Sequence, residues 1–232
     1  MGGARRTISR PLATAGTAGS GKARLGNVHG RTMNAFCKRA LDIAVASAGL
    51  IVLSPLLLII AFVIRLTMGA PVFFRQIRPG YKARPFTVIK FRTMMGNVSQ
   101  VETSLDGARL TRLGNFLRRF SLDELPQLWN VLTGEMSLVG PRPLLTEYLQ
   151  YYTPQQARRH DVKPGITGWT QVNGRNEVSW DRKFALDVWY VDHWSFWLDV
   201  RILGMTFWKV LTRQGISQRG HVTTEKFGAP GR

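Results

Sequence analysis

The stretch from Ile43 to Ile64 (IAVASAGLIVLSPLLLIIAFVI) constrains this chain most, because its 22 residues carry no charge. As a helix they would extend roughly 33 Å, enough to cross a hydrocarbon core. Ser54-Pro55 interrupts the run near its middle. Pro55 has no N–H for the Ile51 carbonyl and its ring opens that turn, while the Ser54 hydroxyl can take over part of the lost bonding. Basic residues sit on both flanks, Lys38 and Arg39 before the run and Arg65, Arg75 and Arg78 after it. Positive charge resists translocation, so both flanks belong on one side. The sequence therefore predicts a re-entrant membrane helix over 34–66, broken at Ser54 and Pro55. A proline-kinked spanning helix is the alternative. The run begins about forty residues in and lacks a small-residue cleavage site, which argues against a cleaved signal peptide.

Charge narrows the partners. The formal net charge is +18, from 32 basic and 14 acidic residues, and Asp42 is the sole acid before Glu102. An anionic partner follows: phospholipid, nucleotide or nucleic acid. Cys37 is the only cysteine, so there is neither a disulfide framework nor a cysteine zinc cluster, and a reducing, cytoplasm-facing location fits. A length of 232 residues suits one catalytic domain with an appendage. The expected division is a disordered basic extension over 1–33 that touches anionic lipid, the membrane helix over 34–66, a catalytic domain over 67–217 and a tail over 218–232.

Within the soluble part, Pro71 to Gly80 and Pro85 to Arg92 read as two strands of a hairpin. Alternation would put Lys90 and Arg92 on one face, where two cations could meet one anion, although a solvated strand face is the favoured reading of such a pair. Asn97 to Asp106 reads as a polar loop and Arg109 to Phe120 as a short helix carrying Arg118 and Arg119. Next comes Ser121-Leu122-Asp123-Glu124-Leu125-Pro126, closing in Gly140-Pro141-Arg142-Pro143. Adjacent carboxylates near several guanidiniums suit a metal-bound phosphate ester. The competing reading is a capping box, with Ser121 and Glu124 satisfying free backbone donors. Pro126 argues against it by moving the helix start toward itself and leaving Asp123 and Glu124 in the preceding turn, while Gly134 supplies a C-cap. Pro164 to Asn176, dense in glycine and amides, is either a phosphate-cradling loop or a structural turn. Phe196, Val200, Leu203, Phe207 and Leu211 recur at helical spacing amid five tryptophans between Trp180 and Trp208, which suits a helix in the headgroup layer or plain core packing. His193 lacks metal-ligand spacing and reads as interfacial or hydrogen-bonded.

Seven ordered motifs together resemble the bacterial sugar transferases, monotopic polyprenyl-phosphate phosphoglycosyltransferases. They are Lys38-Arg39-x-x-Asp42, Ser54-Pro55, Phe74-Arg75-Gln76-x-Arg78-x-Gly80, Lys90-Phe91-Arg92-Thr93-Met94, Ser121 to Leu125, Gly140 to Pro143 and Pro164 to Gly168. Asp187 to Asp192 and Gly220 to Phe227 look most like the branch acting on N,N'-diacetylbacillosamine 1-phosphate. The resemblance implies an α+β fold, a mostly helical catalytic domain with a short β-hairpin on a re-entrant anchor with interfacial helices. It implies transfer of a sugar 1-phosphate from a UDP-sugar to undecaprenyl phosphate, with UMP released, as the first membrane step of glycan assembly at the cytoplasmic face of the bacterial inner membrane. By the same resemblance Asp123 is the nucleophile that forms an aspartyl phosphosugar ester. Asp123 and Glu124 hold Mg2+, and Arg118, Arg142, Lys90, Arg92 and Arg175 contact phosphate. No nucleic acid is expected as partner, and a homodimer is allowed. The readings from other classes are a membrane-tethered nucleic-acid-binding protein and a non-catalytic scaffold of a glycan-assembly complex.

Overall fold

In the computed structural model, residues 20–96, 109–174, 178–212 and Phe227 are described. Helix α1 (Ser20–Val52) and helix α2 (Ser54–Met68) meet at the Ser-Pro break, where the chain turns by 61°. The Ser54 hydroxyl donates to the Ile51 carbonyl at 2.8 Å, supplying the bond that Pro55 cannot make. No single helix among the described residues is long and apolar enough to cross a membrane; the bent pair together is. α1 begins at Ser20, so the second part of the expected disordered extension is helical. Extending an existing helix backwards adds one hydrogen bond per residue without a new nucleus.

Beyond α2 the chain forms the expected hairpin, strand β1 (Phe73–Pro79) antiparallel to strand β2 (Pro85–Phe91), with Phe74 opposite Lys90. Helix α3 (Arg112–Arg119) starts at Thr111, whose hydroxyl accepts the Gly114 N–H at 2.9 Å. A 3-10 turn at Leu122–Glu124 leads into helix α4 (Gln127–Thr133), which has Pro126 at its N-cap and Gly134 at its C-cap with φ 89°. Two short strands, β3 (Ser137–Val139) and β4 (Gly165–Thr167), pair in parallel. Helices α5 (Pro154–Ala157), α6 (Trp169–Val172), α7 (Trp180–His193) and α8 (Phe196–Thr212) complete the described chain.

Two apolar clusters hold these parts together. One joins Ala46 of α1 to Phe86 and Val88 of β2, Leu128 and Val131 of α4, Tyr190 of α7 and Ile202 of α8. The other packs Ile60, Ile64 and Met68 of α2 against Phe91 and Leu117. Both arms of the broken run are therefore seated on the same domain.

Polar contacts fix the same joints. Lys38 donates to the Val139 carbonyl at 2.9 Å and pairs with Asp199 at 2.6 Å, and Arg39 donates to the carbonyls of Val131 and Leu132. Asp42 accepts from the Ser137 hydroxyl at 3.1 Å and the Leu138 N–H at 2.9 Å. The Lys-Arg-x-x-Asp motif is thus a clamp between α1 and the catalytic domain.

On α8, Asp199 and Ile202 face inward while Trp197 is 76% and Phe207 68% exposed. Of the expected stripe, Leu203 packs partly on the core, whereas Val200 and Phe207 face outward. Core packing accounts for only the inner face of this helix. The outer faces of α1, α2 and α8 carry most of the large exposed apolar side chains, among them Val52, Leu58, Phe62, Leu66 and Trp208.

Candidate active site

The site begins with a turn that the capping reading does not describe. Ser121 sits in the left-handed region at φ 56°, and its side chain makes no capping bond. A non-glycine residue there costs on the order of 1 kcal/mol. Glu124 does not reach back toward Ser121 either; its carboxylate accepts from Lys90 at 2.6 Å and from both Nη groups of Arg142. The capping box is absent. As the position of Pro126 predicts, the helix starts later and the two acids occupy the preceding turn.

The adjacent carboxylates have opposite surroundings. Burial works against ionisation of Glu124, but the charges of Arg142 and Lys90 outweigh it and hold the carboxyl below the usual range. Asp123, 9% exposed, makes no ion pair or side-chain hydrogen bond among the described residues. Burial, then the neighbouring Glu124 charge, push its carboxyl upward, with Lys90, Arg118 and Arg142 acting in opposition. Burial also pushes the Lys90 ammonium down, partly offset by Glu124. Environments that drive two carboxylates apart in this way mark distinct chemical roles.

Each cation is placed by a different element. Lys90 projects from β2, and Arg142 follows β3. Arg118 of α3 donates through Nε to Thr93 at 3.0 Å, and its Nη groups carry no hydrogen bond among the described residues. α3 can lie this close because position 114 is glycine: a Cβ there would stand 2.0 Å from the Thr93 carbonyl oxygen. Arg159, which sequence reasoning missed, pairs with Asp187 in the interior at 2.8 Å and donates to the Arg142 carbonyl at 2.7 Å. Arg78 was also missed as a site residue. It lies near enough to Arg142 that burial and that charge lower it to about 10.

Arg92 is elsewhere. Its guanidinium donates to the carbonyls of Met68, Gly69 and Ala70, closing the end of α2. Lys90 and Arg92 do not converge on one anion, because β2 ends at Phe91 and the chain then turns toward α2. Arg175 and the polar loop at 97–106 lie outside the described residues. The glycine-rich stretch is structural where it is described. A Cβ at Gly165 would meet the Gly140 nitrogen at 2.1 Å, and one at Gly168 the Gly140 oxygen at 2.2 Å. These glycines let β3 and β4 touch backbone to backbone behind Arg142. His193 stacks on Trp189 and bonds its carbonyl, in keeping with a hydrogen-bonded role. Among the described residues no cluster of three or more His, Cys, Asp or Glu could by itself enclose a metal.

A buried, unpartnered carboxylate beside a neutralised one, ringed by Lys90, Arg118 and Arg142, is an arrangement for phosphoryl chemistry. Residues 33–213 match the family model described as bacterial sugar transferase, and the chain belongs to that family. It is 55% identical over 195 residues to the uncharacterized sugar transferase EpsL of Bacillus subtilis (strain 168), covering 84% of this chain and 96% of that protein. It is also 44% identical over 188 residues to the UDP-glucose:undecaprenyl-phosphate glucose-1-phosphate transferase of Escherichia coli (strain K12), and 37% identical over 210 residues to the undecaprenyl-phosphate galactose phosphotransferase of Salmonella typhimurium. These matches cover 76% and 83% of this chain but 40% and 44% of those proteins, so it spans less than half their length. The sugars in their names are glucose and galactose, not N,N'-diacetylbacillosamine.

Proposed function

We propose that this sugar transferase moves a sugar 1-phosphate from a UDP-sugar to undecaprenyl phosphate and releases UMP, with Asp123 as covalent nucleophile. One observation carries the reading: of two adjacent acids, Glu124 is paired with two cations and Asp123 is buried without a partner. A desolvated carboxylate attacks more readily than a hydrated one, provided it is ionised. An Asp123 oxygen attacks the phosphorus that bears the sugar, the bond from that phosphorus to the UMP oxygen breaks, and UMP leaves with the bonding pair. A phosphate oxygen of undecaprenyl phosphate then attacks the same phosphorus. The Asp123 ester breaks, and the carboxylate is returned beside a polyprenyl diphosphate sugar. Lys90, Arg118 and Arg142 would neutralise the phosphoryl oxygens throughout.

Mg2+ fits the donor set. Asp123 has no competing partner, and Oε2 of Glu124 takes a single contact, from Arg142. Mg2+ is commonly held by one or two carboxylates and completed by substrate phosphate and water. When bound it would offset charge on the diphosphate.

The joints of the broken run support a monotopic placement, which we assign to the cytoplasmic face of the bacterial inner membrane. Lys38, Arg39 and Asp42 on one flank and the end of α2 on the other are bonded to the same domain, which supports both flanks lying on one side. The exposed aromatic face of α8 and the apolar face of α2 would hold Asp123 near the headgroup layer, where the acceptor phosphate lies. The nucleic-acid and scaffold readings account for neither the unpaired Asp123 nor its ring of cations.

The test is UMP release by the full chain in nanodiscs with Mg2+, undecaprenyl phosphate and a panel of UDP-sugars that includes glucose, galactose and N,N'-diacetylbacillosamine. Mass spectrometry after incubation with donor alone should show one sugar-phosphate adduct on Asp123. An enzyme that turns over with no adduct at that residue would refute the covalent step.

A further inference from the structure

Phe227 lies far along the chain from the catalytic turn, yet its ring is enclosed by five others. Ring centroids stand 4.9 Å away at Phe184, 5.4 Å at Trp180, 5.8 Å at Tyr148, 6.1 Å at Tyr152 and 6.4 Å at Tyr151. All five pairs are edge-on or tilted, geometries that aromatic quadrupoles favour. Single surface aromatics are ordinary. Five partners from two separate segments, 148–152 and α7, make an anchor point.

The far side of this cage is the support of the active site. Arg159 lies over the Phe184 ring at 5.7 Å, donates through Nη1 to the Tyr152 hydroxyl at 3.2 Å and pairs with Asp187. Through Nη2 it also donates to the Arg142 carbonyl, and the Arg142 guanidinium holds Glu124. Thus Phe227 touches Tyr152 and Phe184, both touch Arg159, and Arg159 fixes the backbone of the residue that polarises the dyad. Arg78, close to Arg142, also lies within electrostatic reach of Tyr148 of the cage.

We infer that Phe227 is a positioning residue: by filling the aromatic cage it fixes Arg159 and through it Arg142, so that this late residue sets the geometry of the catalytic turn. The inference rests on the proposed reaction, in which the Arg142 contact counts at the transition state rather than in substrate binding. Loosening the cage should therefore lower kcat and leave KM for the UDP-sugar nearly unchanged, since a small displacement of an electrostatic group is felt most where charge develops.

Full-length Phe227→Ala and Phe227→Leu proteins distinguish this from a merely structural role. The burst of UMP in the first turnover counts competent sites, so kcat is taken per competent site. The expected result is a kcat about tenfold lower for Phe227→Ala, KM within about twofold of wild type, and recovery to within about threefold in Phe227→Leu, which refills most of the cage. Wild-type kcat per competent site in Phe227→Ala, with only the melting temperature or burst amplitude reduced, would overturn the inference. So would equal losses in both variants. If the wild-type chain releases no UMP from any UDP-sugar in the panel, the proposed reaction fails first. The anchor is then read from melting temperature and tryptophan emission, which Phe227→Ala must still shift because Trp180 lines the cage; no shift in either overturns the anchor itself.

Discussion

Two groups of buried charges in this molecule are built on opposite principles. At the junction of α1 and α8, Asp199, 1% exposed, accepts from Lys38, from Tyr190 at 2.6 Å and from Trp194 at 3.1 Å. Nearby Asp42 is bonded to a hydroxyl and a backbone N–H. At the catalytic turn, Glu124 is equally well paired but Asp123 has nothing. Buried polar groups in a folded chain are ordinarily satisfied because an unpaired one costs on the order of 1–3 kcal/mol. A satisfied network tells of assembly. A carboxylate left unpaired and still open to solvent, beside cations that turn to its neighbour, is placed to meet a ligand.

The contrast can be broken by substitution. The largest effect expected is on catalysis from Asp123→Asn: UMP release should fall by at least about a thousandfold, as for other nucleophile deletions, with the melting temperature unchanged or raised. A variant that keeps a tenth of its activity would remove the distinction between the two networks. Arg142→Ala should cost about a hundredfold in kcat/KM, comparable to removal of one oxyanion donor, and should also free Glu124 from part of its depression.

Asp199→Ala should do the reverse. It leaves the part-buried Lys38 ammonium without its counter-charge and with only the Val139 carbonyl to share with the Tyr190 hydroxyl, so chemical denaturation should show a loss of about 3–5 kcal/mol, with kcat per folded molecule unchanged. A change in kcat without loss of stability would mean that this junction belongs to the active site.

A smaller effect comes with pH. In the proposed reaction Asp123 must be ionised to attack, and its carboxyl is pushed upward, so the acid limb of kcat/KM should lie above the ordinary carboxylate range. Lys90 favours ionisation of Asp123, so Lys90→Gln should move that limb to still higher pH. A shift to lower pH would contradict the assignment. Stability should also fall on acidification through His160. Burial holds its imidazole down at about 4, so the unfolded chain binds a proton before the folded one does and stability drops as pH falls from about 6.5 toward 4. Urea titration of His160→Asn should show a weaker slope over that window.

The smallest effect expected on stability is from Pro55→Leu, and it reports on placement. Cysteines introduced at both ends of the Ile43–Ile64 run should be labelled from one side in the parent chain; labelling from opposite sides would sink the re-entrant placement.

Local signals proved readable where the cause is local. Pro55 cannot donate and Ser54 can, so the break and its repairing bond are written in two adjacent residues. Pro126 and Gly134 bracket α4 for the same kind of reason. Arg92 shows where alternation stops being informative: spacing put it beside Lys90, but one residue past the end of β2 it turns to the carbonyls of α2. The Pro164–Gly168 glycines looked equally suited to phosphate or to a turn, and only their approach to Gly140 shows that they serve backbone packing. Arg159 and Asp199 carried no signal, since each is an isolated charge whose partner is distant in the chain.

The sequence by itself determined that a broken apolar helix precedes a basic soluble domain with a hairpin and two adjacent acids in a turn, because hydropathy, proline and charge act over a few residues. Which acid is paired and which is left bare was decided by tertiary structure. The partners of Glu124 lie 34 residues back at Lys90 and 18 residues on at Arg142, and Asp123 is distinguished from its neighbour only because both of those cations fold onto the other carboxylate.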